Sequence, residues 1–167
     1  MISKKLTDTV NSQINKELYS EYFYLSMSAW LLSKDFDGIA NFFTVQAQEE
    51  RFHAMKFFNY LLERGAEVAL KPIDGPPVEF KSVTDIFEQT LEHEKLVTKS
   101  INDLMDLSIK ENDHSAVSFL KWFIDEQVEE EASVSKILNQ LKFTGEHPQA
   151  LMMFDRQLAL RKFTPEA

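Results

Sequence analysis

Four stretches of the chain carry apolar residues at alternating steps of three and four, and each apolar stripe is broken near its middle by a carboxylate or an amide. That spacing marks the buried face of a helix packed among others. The first stripe is Val10, Ile14, Glu17 and Tyr24; the second is Ile39, Phe43, Gln46, Glu50, His53, Phe57 and Tyr60. The third is Phe87, Thr90, Glu94, Val97, Ile101 and Leu104, and the fourth is Leu120, Phe123, Gln127, Glu130, Val134, Ile137 and Leu141. Any fold that buries these stripes must bury their polar residues as well. Carboxylates in an apolar interior lose hydration and repel one another, so they must be protonated or held by cations.

The punctuation between the stripes predicts where the helices begin and end. Only four glycines and five prolines occur in 167 residues, which favours long helices over sheet. The expected helices span about residues 4–32, 38–64, 83–110, 113–143 and 148–161. Asp37 is the expected N-cap of the second, and Ser82 with Asp85 resembles a capping box for the third. Asn112 and Asp113 start the fourth, Gly65 and Gly145 follow helix C-termini, and Pro148 opens the fifth. Between the second and third helices the segment Lys71 to Lys81 (KPIDGPPVEFK) carries three prolines and a glycine. The link of about seventeen residues that contains it, from Gly65 to Lys81, can run extended at roughly 3.3 Å per residue and span a bundle end to end. The expected fold is therefore all-α: one domain over residues 1–167, a four-helix bundle with a long crossover between helices 2 and 3 and a short fifth C-terminal helix.

Glu17, Glu50, Glu94 and Gln127 lie about thirteen residues from the starts of their helices, so helices of equal length bring them to one level. Di-iron carboxylate bundles use one Glu from each of two helices and a Glu-x-x-His from each of the other two. Glu50-Arg51-Phe52-His53 is one such motif, and Gln127-Val128-Glu129-Glu130 occupies the place of the second. The chain has no cysteine, which excludes thiolate ligands and disulfides. Oxygen ligands with one imidazole suit Fe, Mn or Zn rather than Cu(I). Iron is favoured because Glu50, flanked by ligands on both sides, can bridge two ions, one held with Glu17 and His53 and the other with Glu94 and Glu130. Gln127, being neutral, is a weak ligand or a hydrogen-bonding partner. A formal charge of −9 argues against nucleic acid or anionic membranes as partners. No apolar run is long enough for a membrane span and the N-terminal stretch is polar, so a soluble, cytoplasmic protein is expected.

In order and spacing these residues resemble bacterial non-haem ferritin subunits over essentially the whole chain. The resemblance implies iron storage: a ferroxidase that oxidises Fe(II) to Fe(III) with O2 or H2O2 and deposits ferric mineral in a hollow homo-oligomeric shell of 24 subunits. It assigns Glu17, Glu50 and His53 to a first iron site, and Glu50, Glu94 and Glu130 to a second with Gln127 beside them. A third site of Glu49, Glu126, Glu129 and Glu130 is implied toward the inner surface. Spacing is compatible, since residues 126, 129 and 130 form one helical patch. Tyr24, two turns after Glu17, completes the catalytic set by resemblance, as a donor of an electron or a hydrogen bond; a core tyrosine with a satisfied hydroxyl fits the position equally. Trp122 is read as packing, and His93, His114 and His147 have no partners in the pattern. Haem-containing bacterioferritins carry a ligating Met where this chain has Arg51, so no haem is expected. A di-iron or di-manganese oxidase without storage, or an interaction module whose polar layer only sets helix register, would share much of the pattern.

Overall fold

The computed structural model describes residues 2–165, which form five helices and no strand. They are α1 (Lys4–Leu32), α2 (Asp37–Glu63), α3 (Val83–Lys110), α4 (His114–Thr144) and α5 (Pro148–Leu158). Three of the long helices start on their own caps. The Ser3 hydroxyl accepts from the Leu6 amide at 3.0 Å, Ser82 from Asp85 at 3.1 Å, and the Asp113 carboxylate from Ala116 at 3.0 Å. The Asp85 carboxylate accepts from the Lys81 amide at 2.9 Å, one residue outside the usual box.

α2 departs from the expectation. Asp37 is its first helical residue and not its cap, and Phe36 offers no side-chain bond. The free amides of Gly38 and Ile39 donate instead to the Asp155 carboxylate of α5, at 2.8 and 2.9 Å. A carboxylate from 117 positions away thus does the work of a local cap and complements the positive end of the helix. Gly38 makes the approach possible, because a Cβ there would collide with the Asp155 backbone carbonyl.

The fifth helix also ends earlier than its sequence suggests, at Leu158 rather than Arg161. The Asn41 side-chain amide donates to the carbonyls of Leu158 and Arg161 at 3.2 and 3.0 Å. Those bonds satisfy the end of the helix and lead the following segment along α2.

The crossover is registered on α1. Asn11 donates to the Glu67 carbonyl at 3.0 Å and accepts from the Ala69 amide at 2.8 Å, while Ser26 donates to the Pro77 carbonyl at 2.5 Å. Fifteen residues of helix between Asn11 and Ser26 amount to about 22 Å of travel. The segment therefore runs back along the bundle and lets α3 start level with the start of α2, parallel to it. Phe80 then buries its ring against Trp30.

The core falls into two apolar halves. One contains Tyr24, Met27, Ile39, Phe43, Phe87 and Leu138, and α5 adds Phe154 to it. The other contains Ile14, Phe57, Val97, Ile101, Leu120 and Phe123, with the Phe57 and Phe123 rings stacked at 4.1 Å. At the far end of this half, Arg64 forks onto Asp113 through bonds of 3.1 and 2.8 Å, joining the end of α2 to the start of α4. Between the halves lies a buried polar layer.

Replacing Asp155 by Ala leaves two α2 amides without their acceptor. At about 1 kcal/mol for a lost cap, the thermal midpoint should fall by roughly 2–4 °C. Asp155→Asn, whose amide oxygen can still accept, should lose less. Circular-dichroism melting of the three proteins checks both.

Candidate metal centre

The layer is built from one or two residues of each long helix: Glu17 of α1, Glu50 and His53 of α2, Glu94 of α3, Gln127 and Glu130 of α4. All six side chains are between 0 and 5% exposed. The i, i+3 spacing puts Glu50 and His53 on one face of α2, with Nδ1 of His53 3.6 Å from the Glu50 carboxylate. Glu17 joins them from α1. One ligating atom from each of Glu17, Glu50 and His53 lies within 4.8 Å of the others.

The other side of the layer is held by hydrogen bonds. Gln127 donates its side-chain amide to the Glu94 carboxylate at 3.1 Å and also reaches Thr98 at 3.2 Å. Tyr24 donates its hydroxyl to the second oxygen of Glu94. Glu130 accepts from the Gln46 amide at 3.0 Å. Both halves adjoin, since the charges of Glu94, Glu17 and Glu130 all bear on Glu50.

Gln13 and Gln46 also belong to the layer, bonded to Glu17 and Glu130, with no role that their residue type alone assigns. Gln13 donates to one oxygen of Glu17 at 2.7 Å and accepts from Ser100 at 2.5 Å, and Ser100 in turn accepts from Lys16 at 2.6 Å. A signal was available: Gln13 precedes Glu17, and Gln46 precedes Glu50, by four residues, one turn on the same face.

Burial sets the electrostatics. Glu50 is pushed well above the carboxylate range by desolvation, then by the charges of Glu94, Glu17 and Glu130. Desolvation and Glu130 raise Glu94 to about 8, against the hydrogen bonds from Tyr24 and Gln127. Tyr24 is raised by burial and by Glu94, so its hydroxyl keeps its proton and remains a donor. His53 is lowered from its usual value by desolvation, which favours the neutral imidazole that can ligate a metal. One oxygen of Glu17 and one of Glu50 are buried without a hydrogen-bond donor, as is the Gln46 carbonyl oxygen. Carboxylates left with unpartnered oxygens and gathered with His53 in one buried group fit a divalent cation.

On the α2 and α4 side, Glu49, Glu126 and Glu129 line a cavity of about 180 Å³ that also reaches His53 and Glu130. Desolvation raises Glu49 to about 7, while Arg161, which bonds to it at 2.6 Å, pulls in the opposite direction. Trp122 stands edge-on to His53 at 5.4 Å with Lys56 over its ring at 4.1 Å, so it packs on the imidazole and bounds the cavity. His93 is surrounded by Tyr19, Phe23 and Tyr24 and bonded to Ser20 at 2.7 Å. His114 and His147 are exposed at the starts of α4 and α5. Arg51 faces outward, 3.6 Å from Glu21.

Residues 7–144 match the family model described as a ferritin-like domain. The chain belongs to the ferritin-like family. It is 37% identical over 166 residues to the bacterial non-heme ferritin of Staphylococcus aureus (strain MRSA252), covering 99% of this chain and 100% of that protein. A probable bacterial non-heme ferritin-like protein of Haemophilus influenzae is 42% identical over 158 residues, 95% of this chain and 96% of the relative. Among solved structures, the open-pore ferritin of the hyperthermophilic archaeon Archaeoglobus fulgidus superposes with a TM-score of 0.96 at 43% identity, over 97% of this chain and 100% of that one. Ferritin family and ferritin fold together support iron storage as the broad function, and no described helix is long and apolar enough to cross a membrane.

The raised carboxyls make the metal-free ferritin sensitive to pH. Glu94 binds its proton more tightly in the folded protein, at about 8, than at its ordinary 4.5. Its stabilising contribution is therefore complete below the lower value and lost as pH climbs through the higher one. The melting temperature of demetallated protein should fall over this window, and Glu94→Gln, permanently neutral, should flatten the fall. Parallel curves for the two proteins would contradict the shift.

Proposed function

We propose that this ferritin is a ferroxidase that takes Fe(II) as substrate at the four-helix polar layer and passes Fe(III) to a mineral store inside a shell of 24 subunits in the cytoplasm. The observation that carries the reading is the buried group of Glu17, Glu50 and His53, facing Glu94 and Glu130 across a layer with unpartnered acceptor oxygens. One iron would be held by Glu17, Glu50 and His53, and a second by Glu50, Glu94 and Glu130. Two Fe(II) ions so placed give one electron each to a shared oxidant, dioxygen or peroxide, and anionic oxygen ligands favour the Fe(III) product.

The chain's own residues prepare the layer for this chemistry. Glu50 and Glu94 hold protons in the metal-free state, so metal entry must release them, and affinity should rise with pH. Gln13 occupies one oxygen of Glu17 and leaves the other for metal. Gln127 and Tyr24 together hold both oxygens of Glu94. Gln127 contributes an amide where the other Glu-x-x-His motif has a carboxylate, and it bonds to a ligand through that amide. Glu130 stands where that motif has its histidine, so the second position has no imidazole and should hold iron less firmly than the first. Glu49, Glu126 and Glu129 offer a route from the centre toward the store.

Anaerobic loading with Fe(II) followed by air should give a rise in ultraviolet absorbance, with the initial rate reduced at least about tenfold in the Glu50→Ala, His53→Ala double variant. An unchanged rate in that variant would sink the assignment. Light scattering provides the second check, since a monomer or dimer in solution is incompatible with storage in a shell.

A further inference from the structure

The segment after α5 crosses the acidic cavity. Arg161, Phe163, Thr164 and Pro165 line it together with Glu49, Glu126 and Glu129. Arg161 is the cation of this lining, and its Nη2 donates to Glu49 at 2.6 Å. The guanidinium also lies 4.3 Å over the Phe42 ring and donates to the Phe42 carbonyl at 3.4 Å. Its backbone carbonyl is tied to Asn41 at 3.0 Å, and two residues on, Phe163 meets the Phe52 ring edge-on at 6.3 Å. The positive group is thus anchored to α2 by side chain, backbone and neighbour together.

We propose that Arg161 is a tethered competitor for Glu49, a built-in cation that an iron ion must displace before this carboxylate can hold it. The inference rests on the proposed passage of iron from the buried centre through this cavity. Carboxylates gathered without a counter-ion would bind iron firmly and become a resting place. With a guanidinium already on Glu49, the cavity accepts an ion without keeping it. Arginine suits the role because it never deprotonates and its planar fork matches a carboxylate, yet it cannot follow the metal away. Arg161 is a positioning residue, since it acts on iron only through Glu49. The pair is partly exposed, which keeps the competition weak enough for iron to win transiently.

Isothermal titration of demetallated, assembled protein tests this, with anaerobic Fe(II) and, as a redox-silent probe, Zn(II), at fixed pH and salt. Arg161→Ala should bind metal in the cavity about threefold or more tighter than wild type, a fold-change in keeping with a partly exposed ion pair. Arg161→Lys, which keeps the charge, should lie nearer wild type. Adding Glu49→Gln to Arg161→Ala should erase the gain. Loss of a merely structural contact would not tighten binding, so an Arg161→Ala isotherm equal to or weaker than wild type overturns the proposal. A gain that persists without the Glu49 carboxylate overturns it too. Wild-type protein that binds neither metal would instead overturn the ferroxidase reading itself, and this inference with it.

Discussion

Burial of several carboxylates in the middle of an apolar bundle governs the rest of this structure. Each of Glu17, Glu50, Glu94 and Glu130 would be solvated on a helix surface at no cost, yet all four are nearly inaccessible and sit between two aliphatic and aromatic clusters. Such a layer holds together only when its charges are neutralised, by protons in the absence of metal and by cations in its presence. The elevated affinity of Glu50 and Glu94 for protons is the first of these states, and the buried, unpartnered oxygens of Glu17 and Glu50 fit the second. The two apolar halves stabilise the bundle, and that surplus maintains a layer that is unfavourable by itself.

Hydrogen bonds divide the layer into unequal parts. On the Glu94 side, Tyr24 and Gln127 donate to both oxygens, so the carboxylate is oriented and partly compensated. On the Glu50 side the remaining oxygen has His53 nearby but no donor within bonding distance. The difference matches the chemistry of the two positions, one with an imidazole and one with an amide. Beyond the layer, the acidic cavity extends the same logic, with Arg161 as a cation of the protein itself on Glu49.

Much of this was legible in one dimension. The stripes, their polar centres and the proline-rich link lead to a helical bundle with a long crossover, because helical period and chain reach are local properties. The Glu-x-x-His of residues 50–53 could be read for the same reason, as both side chains belong to one turn. The cap of α2 could not. Asp37 has the right residue type in the right place, but α5 docks against Gly38 and brings Asp155 to the amides first. The end of α5 was missed likewise, since the Asn41 amide that takes its last carbonyls lies on another helix.

Residue type and spacing by themselves determined that the chain is all-α, that its helices share a polar level, and which carboxylates and histidine stand at that level. Those properties follow from hydrophobic periodicity and from the chemistry of each side chain. Only the tertiary structure decided which oxygen of each carboxylate is engaged, that Gln46 steadies Glu130, and that Arg161 reaches back to Glu49. Each depends on partners far apart in the chain or on side-chain rotation, and neither leaves a periodic trace. A pairing between residues 49 and 161 exists only once the fifth helix has docked and the segment after it has turned along α2.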